Sequence, residues 1–163
     1  MILDAMRKIL MITGLMLTLS SVAGAQTVRL TNVQELQNRF KSGGDTVYIV
    51  NFWATWCKPC ISELPYFEKF SAEHKSRPVK VLLVNVDAKS KLESSVKPFI
   101  SRNKLRNEIL VLNEIAYQSK IDKSWTGALP ATLFVNAKTG QRKFYSSALT
   151  YDELLEAYKK VSN

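Results

Sequence analysis

Between Val47 and Cys60 the chain passes from an uninterrupted apolar and β-branched run, Val47 to Trp53, into Trp56-Cys57-Lys58-Pro59-Cys60 and then into a long helical pattern. Such a run is the pattern of a strand buried on both faces, which calls for helices packed on either side of a sheet. The chain's 2 cysteines both lie here, two residues apart. A Cys-x-x-Cys pair between an apolar run and a helical pattern is a redox-active arrangement. With Cys57 at the mouth of the helix, the positive end of the dipole and the unpaired N–H groups both favour its thiolate. Lys58 adds a positive charge acting the same way. Pro59 suits a first helical turn, where a missing N–H removes no bond, and Cys60 lies one turn along, close enough to close a short ring. Two other uses compete. A structural zinc site takes about four ligands, against two thiols and a single histidine, His74. A passive staple of so short a ring removes little chain entropy. The redox use is the stronger reading.

The strand–helix alternation continues on both sides of this element. Val28 to Leu30 reads as a short edge strand. Thr31 or Asn32 caps a helix over Val33 to Lys41, with Val33, Leu36 and Phe40 on one face, and Ser42-Gly43-Gly44-Asp45 ends it. The helical pattern from Pro59 runs to about Lys75, carrying Ile61, Leu64, Phe67 and Phe70, and Pro65 inside it predicts a kink. Val79 to Val86 reads as a second buried strand and Leu92 to Asn103 as a helix, with Pro98 in conflict. Ile109 to Leu112 follows as a strand and Glu114 to Ile121 as a short helix. Ala131 to Val135 is a further buried strand, and Ala137-Lys138-Thr139-Gly140 turns into Gln141 to Tyr145. Thr150 caps a last helix, Tyr151 to Val161, with Asp152 and Glu153 in its first turn. The sum is an α/β sandwich around a mixed sheet. The cysteine pair falls at the C-terminal end of a central strand, where such sheets usually place chemistry.

Residues 1–25 read differently. Arg7 and Lys8 precede the apolar segment Ile9 to Leu19, and small residues follow as Ala23-Gly24-Ala25. These are the basic region, apolar region and A-x-A cleavage site of a secretory leader. Met6, directly ahead of the basic pair, is an equally good start. The apolar segment is short for a bilayer span, so the expectation is a cut after Ala25 and one domain over 26–163. Retention as a membrane anchor is the alternative. No cysteine follows the cut, which argues against a lipid anchor. Export gives an oxidising, periplasmic setting. A working dithiol there is either an oxidant or a reductant supplied with electrons from elsewhere.

The net charge of +9 could attract anionic partners. Its densest zone, Lys89, Lys91, Lys97, Arg102, Lys104 and Arg106, is interrupted by Glu93 and lacks the interleaved aromatics of a base-stacking surface. It reads as a solvated face, and no nucleic-acid partner is expected.

Taken together, Phe52-Trp53-Ala54-Thr55-Trp56-Cys57-Lys58-Pro59-Cys60, with Pro65 behind it, and Gly127-Ala128-Leu129-Pro130-Ala131-Thr132-Leu133-Phe134 resemble the thioredoxin superfamily. Within it the chain is similar to the exported TlpA/ResA-like thiol-disulfide oxidoreductases. The likeness covers the whole domain, and the strand and helix between Val86 and Trp125 look like the insertion such members carry. The resemblance implies a thioredoxin-like fold, with Cys57 as exposed nucleophile, Cys60 as resolving thiol and Trp56 flanking them. It also implies that Pro130 lies opposite in cis, which brings the Leu129 backbone to the dithiol as an edge for an incoming peptide. The plain alternative for Pro130 is a strand-start proline.

Glu63, three residues after Cys60, matches a glutamate that ResA-like members carry near the active site. A carboxylate there takes the Cys60 proton, or else simply stabilises a helix N-terminus. Thioredoxins proper carry a buried acid and a lysine where this chain has Asn51 and Leu83, so that relay is missing. Ala131 replaces the threonine common after the cis-proline. His74 reads as a solvated residue at a helix end, and Trp53 and Trp125 as packing residues.

The expected activity is dithiol–disulfide exchange on disulfides of exported proteins, of the kind found in cytochrome maturation. Lys58, Pro59, Trp56, Leu129 and Pro130 would line the substrate. No metal or organic cofactor is needed, and a membrane thiol donor would reload the pair. A disulfide-introducing oxidase is the enzymatic alternative; a thioredoxin-fold chaperone or adaptor is the non-enzymatic one.

Overall fold

The computed structural model describes residues 28–162, so the leader expected at 1–25 lies outside the described residues. Six strands form one sheet: β1 (Val28–Thr31), β2 (Val47–Trp53), β3 (Val79–Asn85), β4 (Glu108–Leu112), β5 (Ala131–Asn136) and β6 (Arg142–Tyr145). The α-helices are α1 (Val33–Lys41), α2 (Lys58–Glu73), α3 (Lys97–Arg102), α4 (Gln118–Ile121) and α5 (Tyr151–Ser162). Across the sheet the order is β1-β4-β3-β2-β5-β6. The first four of these are parallel, and β5 and β6 are each antiparallel to the strand before them. This is the mixed α/β sheet read from the sequence, with the insertion supplying β4.

Period-two alternation divides β2 between two apolar layers. Val47, Ile49 and Trp53 join Phe67 and Phe70 of α2 and Leu154 and Ala157 of α5 on one face. Tyr48, Val50 and Phe52 join Leu36 and Phe40 of α1 and Trp125 on the other. At roughly 1.5–3 kcal/mol for each large apolar side chain buried, these layers dominate the stability. Both predicted packing tryptophans are used this way: Trp53 lies 5.2 Å from Phe99, and Trp125 lies 4.7 Å from Phe52. Asn51 is the polar exception on the α2 side of β2.

The N-terminal caps of α1 and α5 follow the sequence. Asn32 caps α1 by accepting the Glu35 N–H at 2.9 Å. Thr150 and Glu153 exchange bonds at the start of α5, a capping box. At the opposite end of the sheet from the cysteines, Glu108 accepts two bonds from Arg39 at 2.6 and 2.7 Å, and Lys80 stands 3.2 Å away.

Three expectations are corrected. Leu92 to Asn103 is not one helix. The chain makes a 3-10 turn, Lys89–Lys91, and then a wide turn, Leu92–Val96, in which the Lys97 N–H reaches back to the Leu92 carbonyl. Pro98 has no N–H and needs room from the preceding turn, so it sits at the start of α3 rather than inside a longer helix. Glu114 to Ile121 shortens to α4, because Ala116 adopts φ 52° and breaks the helical path. Glu114 itself accepts the Val33 N–H of α1 at 2.8 Å and pairs with Lys120. His74, read as solvated, is half-buried: its ring stacks 4.1 Å from Phe70 and its Nδ1 lies 2.9 Å from the Phe70 carbonyl oxygen. Helix α2 runs through Pro65 to Glu73.

Candidate active site

Strand β2 delivers the chain to Ala54, whose carbonyl accepts the Cys57 N–H at 3.1 Å. Cys57 is the N-cap of α2, and its Sγ accepts the Cys60 N–H at 3.3 Å. Lys58 and Pro59 occupy the exposed first positions of the helix, and Cys57 and Cys60 are joined in a disulfide. Cys57 is 5% exposed and Cys60 0%. The nucleophile expected to be exposed is therefore only the less buried of two sulfurs, because its capping role ties it into α2 and both residues belong to the apolar layer there. Trp56 beside them is 68% exposed.

The loop carrying Trp56 is held from β3. The Asp87 carboxylate accepts the Thr55 N–H at 2.8 Å and the Thr55 hydroxyl at 2.9 Å. Asn85 donates to the same carboxylate at 2.7 Å and accepts the Asp87 N–H. Asp87 was not singled out by the sequence reading. The only signal for it is an acid placed just after a buried strand, and the register that brings it beside Thr55 is a tertiary fact.

The Leu129–Pro130 peptide is cis, as the resemblance implies. Ala131 pairs with Phe52 across β5 and β2, which sets buried Pro130 at the level where β2 ends and the cysteine loop begins. Trp125 Nε1 donates to the Ala128 carbonyl at 2.8 Å, and Gly127 takes φ 98°, a region open to glycine. Leu129 remains half-buried.

Glu63 lies inside the fold, 2% exposed, not on a solvated first turn. Its Oε1 accepts from Asn51 Nδ2 at 2.7 Å and its Oε2 accepts the Leu149 N–H at 2.8 Å. Asn51 Nδ2 also donates to Thr132 Oγ1 at 3.1 Å. Burial pushes the carboxyl up from 4.5 to about 7, with the Leu149 N–H and the Asn51 amide pulling the other way. Asn51 pairs with Leu83 in the β2–β3 register, so an amide and an apolar side chain do stand at those neighbouring places. Cys60 is one turn back on the same helix, also fully buried. The site thus joins a dithiol at a helix N-terminus, a cis-proline edge and a buried carboxyl able to hold or give up a proton near neutrality. The roles of Asn51 and Leu149 around Glu63 were not foreseen; the period-two place of Asn51 was the available signal.

The Redoxin family profile matches residues 22–140. The ResA thiol-disulfide oxidoreductase of Oceanobacillus iheyensis is 32% identical over 108 residues, which cover 65% of this chain and 52% of that protein. The sporulation thiol-disulfide oxidoreductase A of Bacillus subtilis is 31% identical over 110 residues, covering 66% and 64%. The chain therefore spans only about half to two thirds of these relatives. Among solved structures, StoA from Bacillus subtilis superposes with TM-score 0.54 at 28% identity, covering 69% of this chain and 82% of that one. A thioredoxin family protein from Chlorobium tepidum shares the fold with TM-score 0.62 at 22% identity, covering 78% and 85%. With this fold, this Cys57–Cys60 pair and the match over residues 22–140, the chain belongs to the redoxin family, and within it is similar to the ResA and StoA thiol-disulfide oxidoreductases.

Proposed function

We propose that this protein is an exported thiol-disulfide oxidoreductase that reduces disulfides of other exported proteins. The observation that carries the reading is the Cys57–Cys60 pair at the N-terminus of α2, at the level of cis Pro130. In the reduced enzyme, the Cys57 thiolate attacks one sulfur of a substrate disulfide. The substrate S–S bond breaks, and its other sulfur leaves as a thiolate that takes a proton from solvent. A mixed disulfide with Cys57 results. The Cys60 thiol then loses its proton to Glu63 and attacks Cys57 Sγ, releasing the second substrate thiolate. Two electrons pass to the substrate, and the enzyme is left with the Cys57–Cys60 disulfide, to be reduced again by a membrane thiol donor. Trp56, Lys58, Pro59 and the Leu129–Pro130 edge receive the substrate chain around its disulfide. A leader cut after Ala25 and a periplasmic location complete the reading, supported by the basic–apolar–small pattern of residues 1–25.

The test is disulfide exchange by a Cys57→Ser variant, which should lose activity to background; full activity would rule the mechanism out. The direction of transfer is read from the reduction potential of the pair. A value near about −270 mV supports a reductase, and one near about −120 mV turns the assignment to an oxidase.

A further inference from the structure

The hydrogen bonds around Glu63 suit only one of its two protonation states. Each carboxylate oxygen accepts an N–H, one from Asn51 and one from the Leu149 backbone. Asn51 Nδ2 uses its second hydrogen on Thr132 Oγ1. This leaves Asn51 Oδ1 enclosed with no donor, an unfavourable condition for a buried amide oxygen. A protonated Glu63 needs an acceptor for its O–H. Leu149 offers only a backbone donor, so the proton must sit on Oε1, facing Asn51.

We propose that Asn51 is the positioning residue that lets Glu63 take and release a proton in place, by turning its side-chain amide end for end. Rotating the amide by half a turn exchanges Nδ2 and Oδ1. Oδ1 then accepts the Glu63 O–H, and the Thr132 hydroxyl changes from acceptor to donor toward the same oxygen. No heavy atom of Glu63 moves. Either orientation leaves one amide atom without a partner, so neither is strongly preferred and the proton decides between them. Leu83, the neighbour of Asn51 on β3, has no polar side-chain group to bias the choice. The groups bonded around Glu63 are Asn51 from β2, with Thr132 of β5 behind it, and the Leu149 N–H ahead of α5; Cys60 stands one turn back on α2. None is charged in the oxidised protein, and the carboxyl is shifted by burial against the Leu149 N–H and the Asn51 amide. The inference deepens the reading of Glu63 as the acceptor of the Cys60 proton and rests on it for its catalytic meaning.

The experiment is NMR on the oxidised, isotope-labelled protein across the titration of the Glu63 carboxyl carbon. Cross-peaks from the Asn51 amide hydrogens to the Glu63 and Thr132 side chains should be present at high pH and vanish with that carbon's own midpoint. Glu63→Gln places a permanent N–H donor opposite Asn51, so it should show the low-pH pattern at every pH. Asn51→Leu should raise the Glu63 midpoint by a unit or more, a tenfold change. Cross-peaks that persist through the titration, or a Glu63→Gln spectrum with the high-pH pattern, would overturn the proposal. Full disulfide exchange by Glu63→Gln with the cross-peaks still following the carboxyl would remove the proton-acceptor reading and leave the rotating amide standing.

Discussion

The burial of Glu63 sets a pH dependence of stability that can be worked out in sign and size. Its carboxyl is held at about 7 in the fold against an ordinary 4.5. Between those values the folded protein binds more protons than the unfolded chain, so stability falls as pH rises. The contribution is complete below about 4.5 and is lost as pH passes through about 7. At ~1.4 kcal/mol for each unit, the whole span amounts to about 3.5 kcal/mol. The assay is urea unfolding of the oxidised protein from about pH 5 to about pH 8, beside Glu63→Gln, which fills the same space and cannot ionise. Keeping the disulfide intact removes both thiols from the titration. Glu108, Glu114 and Asp122 are held below their ordinary values and finish titrating under this window. Between about pH 5 and about pH 8 the wild type should lose about 2.5 kcal/mol relative to the variant. A difference that stays flat refutes the argument, because it would mean that Glu63 keeps enough water to ionise normally.

Other perturbations follow from contacts away from the dithiol. Asp87→Asn leaves one oxygen where two accept from Thr55 and Asn85, and should cost about 1–3 kcal/mol. Amide exchange at Thr55 should also quicken, and an unchanged melting temperature would exclude the clamp. Phe70→Ala opens a hole between α2 and α5, where Phe70 is 0% exposed, and should cost about 3–5 kcal/mol by chemical denaturation. Glu108→Gln breaks the twofold bond with Arg39 and should cost about 1–2 kcal/mol at neutral pH, less in high salt. That penalty should fade as pH falls through the lowered Glu108 value, since the protonated wild type loses the same charge.

Local chemistry made the centre of this molecule readable. The buried run into Cys57, the proline that fits the first turn of α2 and the capping residues of α1 and α5 all state their roles within a few residues. What escaped depends on register and on which side of a helix meets the sheet. Glu63, three places beyond Cys60, could face solvent or core, and only the packing of α2 on β2 decides it. Asp87 holds Thr55 because two parallel strands end side by side, a fact carried by neither segment alone. Leu92 to Asn103 and Glu114 to Ile121 were read too long, since apolar spacing does not reveal a wide turn ahead of Pro98 or the left-handed Ala116.

The position of β1 governs how the protein presents itself to other molecules. Val28 is level with Ile109, Leu83 and Asn51 in successive strands, about 14 Å sideways from β2 at ordinary strand spacing. Because β1 runs in the same direction as β2, Val28 is its residue farthest from the dithiol end of the sheet. Any attachment made through that end of β1 would leave the cysteines, Trp56 and the Pro130 edge facing away from it.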